Sequence, residues 1–186
     1  ANNIGPVVPD EPIFAEGLVE FVGQSMFAVA AETVEEARRA ALLAVVDYKD
    51  LKPVLTIEQA MAAKTFVLPS HRMKRGNARR AIARAPHRLK RRLEIGGQDH
   101  FYLEGQVSLA VPAEDGDMVV YTSSQHPSEI QHLVAKALGR KDNEVTVEVR
   151  RMGGGFGGKE TQAALFAVIA ALLADKTGCP VKACID

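Results

Sequence analysis

The sequence predicts an α+β chain in two lobes. Short apolar runs that read as strands alternate with helices opened by capping residues, a basic stretch interrupts the chain near its middle, and the order strand, glycine loop, apolar helix, strand closes it.

In the first lobe, "LVEFVG" (18–23) and "MFAVAA" (26–31) read as two short strands around a polar turn. "TVEEARRAALLAV" then opens a helix, with Thr33 as N-cap and Glu36 completing a capping box. A strand is expected over Val45–Leu51, Pro53 interrupts, and Thr56 with Gln59 forms a second capping box. This lobe carries no obvious reactive constellation.

Between Arg72 and Arg92 lie ten Lys or Arg residues and no acid. Such a window is either a nucleic-acid contact or a solvated linker around a short helix, "NARRAIARA", stopped by Pro86. No aromatic residue interleaves the charges as a stacking platform would require, so the linker reading is preferred.

The second lobe begins with "RLEIGGQDHFYLEGQVSLAVP", strand-like on both sides of a glycine break, with Leu103, Val107, Leu109 and Val111 on one face. "GDMVVYTS" reads as the next strand. "HPSEIQHLVAKALG" reads as a helix with Pro127 at its start and Gly139 as its C-cap. "NEVTVEVRRM" is a strand with Val145, Val147 and Val149 on one face. After the glycines, a strongly apolar helix is expected from Glu160 to Thr177, ended by Gly178, and "PVKACI" is the last strand.

Composition narrows the function classes. Net charge is zero, so no global field points to nucleic acid or to a membrane surface. The longest apolar run, Ala163 to Ala174, is shorter than the roughly 20 residues that cross a bilayer. Two thiols, Cys179 and Cys184, are too few for an iron–sulfur cluster and would face opposite ways along one strand. The five histidines show no metal-ligand spacing. A reducing, cytoplasmic setting and no membrane or nucleic-acid partner are expected.

The stretch "RMGGGFGGKE" (151–160) is costly in backbone entropy, which implies a close approach to its main chain. Gly153, Gly155 and Gly158 fit the G-x-G-x-x-G dinucleotide fingerprint, and Asp186 could serve as a ribose acid. That Rossmann-like reading is held as an alternative, as is a basic nucleic-acid-binding module, because the fingerprint normally opens its domain and here comes late.

Two stretches together, "GGQDHFYLEGQ" and "RMGGGFGGKET", resemble the molybdenum-binding subunit of the xanthine dehydrogenase/aldehyde oxidase family, most closely its xanthine dehydrogenase branch. The likeness runs from "DEPIFAEGLVEFVGQ" through "SSQHPSEIQHLVAKALG" to "KTGCPVKACID"; the basic character of residues 73–90 is a departure from it. The resemblance implies that residues 1–65 are the later part of an α/β hammerhead domain, 66–95 a basic linker and 96–186 the first part of a molybdopterin-binding domain. It also implies that the chain is a fragment of a longer subunit, inactive when isolated.

The resemblance further implies roles. Gln98 would stand beside molybdenum and donate from its amide, and Phe156 would pack near the metal with its backbone N–H toward it. Gly155 and Gly157 would leave room for the cofactor, and Glu160 would hydrogen-bond a purine. No catalytic residue is assigned, since the family's base glutamate is expected beyond the end of this chain. The implied reaction is oxidation of hypoxanthine and xanthine to urate with water as oxygen source. Its cofactors would be molybdenum-molybdopterin, with 2Fe-2S and FAD elsewhere in the parent enzyme. Purine substrate, an iron–sulfur/FAD subunit or domain, and an oligomeric parent complete the expected partners.

Overall fold

The computed structural model describes residues 2–185. Its contacts divide the chain into two compact units, Ala1–Ala44 with Gln98–Asp186, and Val45–Gly97. Among the described residues are five α-helices, α1 (Val34–Leu42), α2 (Ile57–Ala63), α3 (Ala78–Arg84), α4 (Pro127–Leu138) and α5 (Ala163–Thr177). The four strands are β1 (Val107–Pro112), β2 (Met118–Thr122), β3 (Val145–Glu148) and β4 (Val181–Cys184).

The first unit is built on one sheet in the order β3-β2-β1-β4. β1 pairs antiparallel with β2 and with β4, while β2 and β3 run parallel and are joined by α4. The turn between β1 and β2 places Asp115 and Gly116 at φ 56° and 84°, the left-handed region that Gly adopts freely and Asp tolerates.

α4 and α5 cover one face of this sheet. α4 buries Ile130, Leu133, Val134 and Ala135, positions that fall on one side of a helix. α5 buries Ala163, Ala164, Ala167, Val168, Ala170, Ala171 and Ala174, and packs chiefly on β1 and α4. Small side chains on the helix meet small side chains on the strand, Ser108 and Ala110, so the backbones approach closely. The hydroxyls of Ser108 and Thr122, buried beneath the helices, satisfy each other at 2.8 Å. Gly139 and Gly178 end α4 and α5 in left-handed caps, as the sequence predicts. Arg140, just past α4, is ion-paired with Asp175 of α5. From the N-terminal segment, Ile4 and Ile13 join the same core.

Several expectations are corrected. Neither residues 18–31 nor 45–51 form strands. Alternating apolar residues supply a face, but a strand also needs a neighbouring strand that continues its backbone ladder, and the sheet is formed by β1–β4 alone among the described residues. Strand structure before β1 is likewise absent from residues 93–106. Within β1 the buried residues are Ser108 and Ala110, while Val107 and Leu109 lie half-buried on the face away from the helices. The apolar face of β1 is therefore not its most buried face. α5 starts at Ala163 rather than Glu160.

The second unit, Val45–Gly97, holds α2 and α3 and no strand. The capping box of α2 is complete: Thr56 Oγ1 accepts from Gln59 N at 3.2 Å, and Gln59 Oε1 accepts from Thr56 N at 3.3 Å. α3 is capped by Asn77 and ends before Pro86. No described residue of this unit is buried, and the ten basic residues of 72–92 are all exposed.

Candidate functional site

The two glycine-containing stretches pack against each other in the first unit. Glu104 and Gly153 are joined twice: the Glu104 N–H donates to the Gly153 carbonyl at 3.3 Å, and the Gly153 N–H donates to Glu104 Oε2 at 2.6 Å. Glu104 Oε2 also accepts from Ser123 Oγ at 2.9 Å and from Lys159 Nζ at 3.4 Å. The Gly153 N–H is the main reason the Glu104 carboxyl sits below the usual carboxylate range. Burial opposes this, and Ser123 and Lys159 add to it.

From the other side, Gln125 Oε1 accepts from the N–H groups of Gly157 at 2.9 Å and Lys159 at 3.4 Å. The Gln125 N–H donates to the Lys159 carbonyl at 2.8 Å. Gln106 Nε2 donates to the Gly158 carbonyl at 3.1 Å and to the Tyr102 hydroxyl at 2.8 Å.

This packing explains most of the glycines. A Cβ on Gly153 would lie 2.6 Å from Glu104 Cβ, one on Gly155 2.5 Å from Gln125 Oε1, and one on Gly158 2.7 Å from Tyr102 Cε1 and 2.9 Å from His100 Cγ. Gly154 and Gly157 instead have φ of 97° and 90°. Much of the close approach that the sequence demands is thus an approach of the protein to itself.

The predicted site residues fall on and around this loop. Phe156 is 75% exposed with φ 51°, an unusual conformation for an aromatic residue. Gly155 is buried and Gly157 half-buried. Gln98 is exposed, two residues before the His100 ring that lies against Gly158. Glu160 is exposed and stands ahead of α5 rather than in its first turn, so the helix dipole acts on it less than the sequence suggests. Among the described residues, neither Gln98 nor Glu160 makes a side-chain hydrogen bond or ion pair.

The loop fits an anionic or oxygen-rich cofactor. Among the described residues, the successive N–H groups of Gly154, Gly155 and Phe156 have no hydrogen-bond partner. Such a run of free donors is what an oxygen-bearing ligand engages. The amide oxygen of Gln106, whose amide nitrogen holds Gly158, is also buried without a partner.

The dinucleotide alternative is not supported by the topology. A Rossmann fingerprint joins adjacent parallel strands, whereas β3 and β4 lie at opposite edges of this sheet and β4 pairs antiparallel with β1. Asp186 lies outside the described residues.

Sequence reasoning missed Glu104, Gln125 and Lys159. The signal was present in "GGKE", where a lysine follows two glycines, but its direction depends on the loop's path rather than on any periodicity.

Comparison with known proteins shows the family. The family model of the molybdopterin cofactor-binding domain matches residues 58–186. That of the aldehyde oxidase and xanthine dehydrogenase a/b hammerhead domain matches residues 1–52. The chain is 42% identical over 186 residues to xanthine dehydrogenase/oxidase of Gallus gallus, covering all of this chain and 14% of that protein. It is 40% identical over 174 residues to aldehyde oxidase 4 of Cavia porcellus, covering 92% of this chain and 13% of that one. In fold it is similar to quinoline 2-oxidoreductase from Pseudomonas putida 86, with TM-score 0.78 and 24% identity over 94% of this chain and 23% of the other. It is also similar to aldehyde oxidoreductase from Desulfovibrio gigas, with TM-score 0.76 and 20% identity over 100% of this chain and 21% of the other. The chain belongs to the xanthine dehydrogenase and aldehyde oxidase family of molybdenum-cofactor oxidoreductases, as a hammerhead segment followed by a molybdopterin cofactor-binding domain.

Proposed function

We propose that this chain supplies part of the cofactor cradle and part of the purine pocket of a molybdenum hydroxylase that oxidises hypoxanthine and xanthine to urate. The observation that carries the reading is the run of unpaired N–H donors from Gly154 to Phe156, on a loop whose outward side chains are Phe156 and Glu160. In this reading the backbone of Gly155, Phe156 and Gly157 and the amide of Gln98 hold the cofactor. Gln98 suits the task because a neutral amide donates without competing as a strong ligand. When bound, the molybdenum centre supplies oxidation of a ring carbon with water as the oxygen source.

Glu160 orients the purine. Its carboxylate is exposed and free of protein partners, so it accepts from a ring N–H without giving up another bond. The basic segment over 66–95 serves as a linker between the hammerhead and cofactor-binding parts. Iron–sulfur and flavin domains or a subunit take up the electrons, in an oligomeric cytoplasmic enzyme.

The test compares xanthine with a simple aldehyde in the intact enzyme. Glu160→Ala removes a charge-assisted hydrogen bond of about 1.5–3 kcal/mol and lowers kcat/KM for xanthine roughly tenfold to a hundredfold, sparing the aldehyde. Gln98→Ala slows both substrates alike. Equal loss for both substrates in the Glu160 variant would reject the purine assignment.

A further inference from the structure

We infer that Lys159 is a positioning residue whose buried ammonium clasps the glycine loop onto the segment 99–106 and thereby sets where the loop presents Phe156 and Glu160. Lys159 is 0% exposed and is the largest fully buried side chain among the described residues. A lysine is almost never buried unless its charge is met, because transfer of the ammonium out of water is strongly unfavourable.

Here the ammonium is met by two hydrogen-bond acceptors and one aromatic face. Nζ donates to Ser123 Oγ at 2.9 Å and to Glu104 Oε2 at 3.4 Å, and it lies 4.7 Å from the centroid of the Tyr102 ring. Ser123 passes the contact on by donating to the same Glu104 oxygen at 2.9 Å. That oxygen in turn accepts from the Gly153 N–H at 2.6 Å. The cation therefore ties both ends of the loop, Gly153 and Lys159 itself, to one carboxylate.

The backbone around Lys159 is held as well, by Gln125 through its N–H and its carbonyl. With Lys159 pointing inward, its neighbour Glu160 and the earlier Phe156 are exposed. A simple packing role for Lys159 would require only its volume. The clasp requires its donors.

The inference rests on the cofactor reading of the loop only for its consequence, not for its geometry. The experiment uses the intact, molybdenum-loaded protein and three variants: Lys159→Met, which keeps chain length without donors; Glu104→Gln, which keeps shape without charge; and the double variant. Hydrogen exchange is followed for amides 153–160 against those of α4 and β2, together with molybdenum content per protein.

Lys159→Met should speed exchange in the loop by about tenfold or more while α4 and β2 keep their protection. Glu104→Gln should act in the same place and more weakly. The double variant should be no worse than Lys159→Met, since residues of one network are not additive. Molybdenum content should fall with the loosening.

Unchanged loop exchange in Lys159→Met, acceleration spread evenly over α4 and β2, or additive effects would each overturn the clasp. Should Lys159→Met fail to fold, Glu104→Gln and Ser123→Ala decide by the same criterion of an effect confined to the loop. A loosened loop that still retains its molybdenum would uphold the clasp and overturn the cofactor reading instead.

Discussion

α2 and α5 are opposites. α2 carries a complete capping box, with both reciprocal hydrogen bonds of Thr56 and Gln59 in place, and buries none of its residues. α5 has no side-chain cap at its start and buries seven residues against the sheet and α4. The contrast runs between helices rather than between units: α1, in the sheet-bearing unit, also has a complete capping box and buries none of its residues, while α4 and α5 share the core. Caps decide where a helix begins, whereas burial decides what it contributes to stability.

The sharpest way to break this contrast is to make the same change on both kinds of surface. Leu133 of α4 is 1% exposed and Leu42 of α1 is 84% exposed. Leu133→Ala should cost about 2–5 kcal/mol in urea denaturation, with a lower midpoint and an unchanged slope. Leu42→Ala should stay within about 0.5 kcal/mol. Comparable losses would mean that α1 is supported by contacts the structure does not contain.

Next in size are the glycines. Gly158→Ala puts a methyl into Tyr102 and His100, so a loss of about 1–3 kcal/mol is expected on the same measurement. Gly96, with nothing near its Cβ position and no positive φ, should accept alanine without measurable cost. A tolerated Gly158→Ala would show that the segment 99–104 yields easily.

Acid titration sharpens the picture further. The folded state holds the Glu104 carboxyl below its ordinary range, chiefly through the Gly153 N–H. The stabilisation is therefore fully present above the ordinary carboxylate range and is lost as pH falls through the lowered value. Thermal melts against pH should show a loss in the acid range that Glu104→Gln lacks. Identical profiles would indicate that Glu104 titrates alike in the folded and unfolded chain.

The smallest effect belongs to the caps. Thr56→Ala should weaken α2 by about 1 kcal/mol, visible in the chemical shifts of Ile57 to Ala63, and leave the melting of the sheet unchanged. A shift in that melting would tie the two units together energetically.

These differences also mark what the sequence made legible. Both capping boxes, the Gly139 and Gly178 caps, β2, α4, β3 and β4 follow from local chemistry and were readable. The strands expected at 18–31 and 45–51 were not, because pairing is a property of two segments and alternation reports on one. That the apolar face of β1 is not its most buried one has a related reason: the buried residues of its partner α5 are alanines except for Val168, and a small strand residue is the better complement to them. The loop motif announced a close approach, but not that Glu104, Gln125 and Tyr102 make it. Their contacts with the loop span 32 to 57 positions in the chain, beyond any window of local pattern.

The collisions that a methyl group would suffer at Gly153, Gly155 and Gly158 have a consequence for how the loop can be changed. Each glycine is matched to a particular side chain: Gly153 to Glu104, Gly155 to Gln125, Gly158 to Tyr102 and His100. Enlarging one member requires the other to shrink or move, so Gly153 and Gly158 depend on the segment 100–104 and Gly155 on Gln125. Grafting the loop alone into another scaffold would transplant a shape without the surface that moulds it.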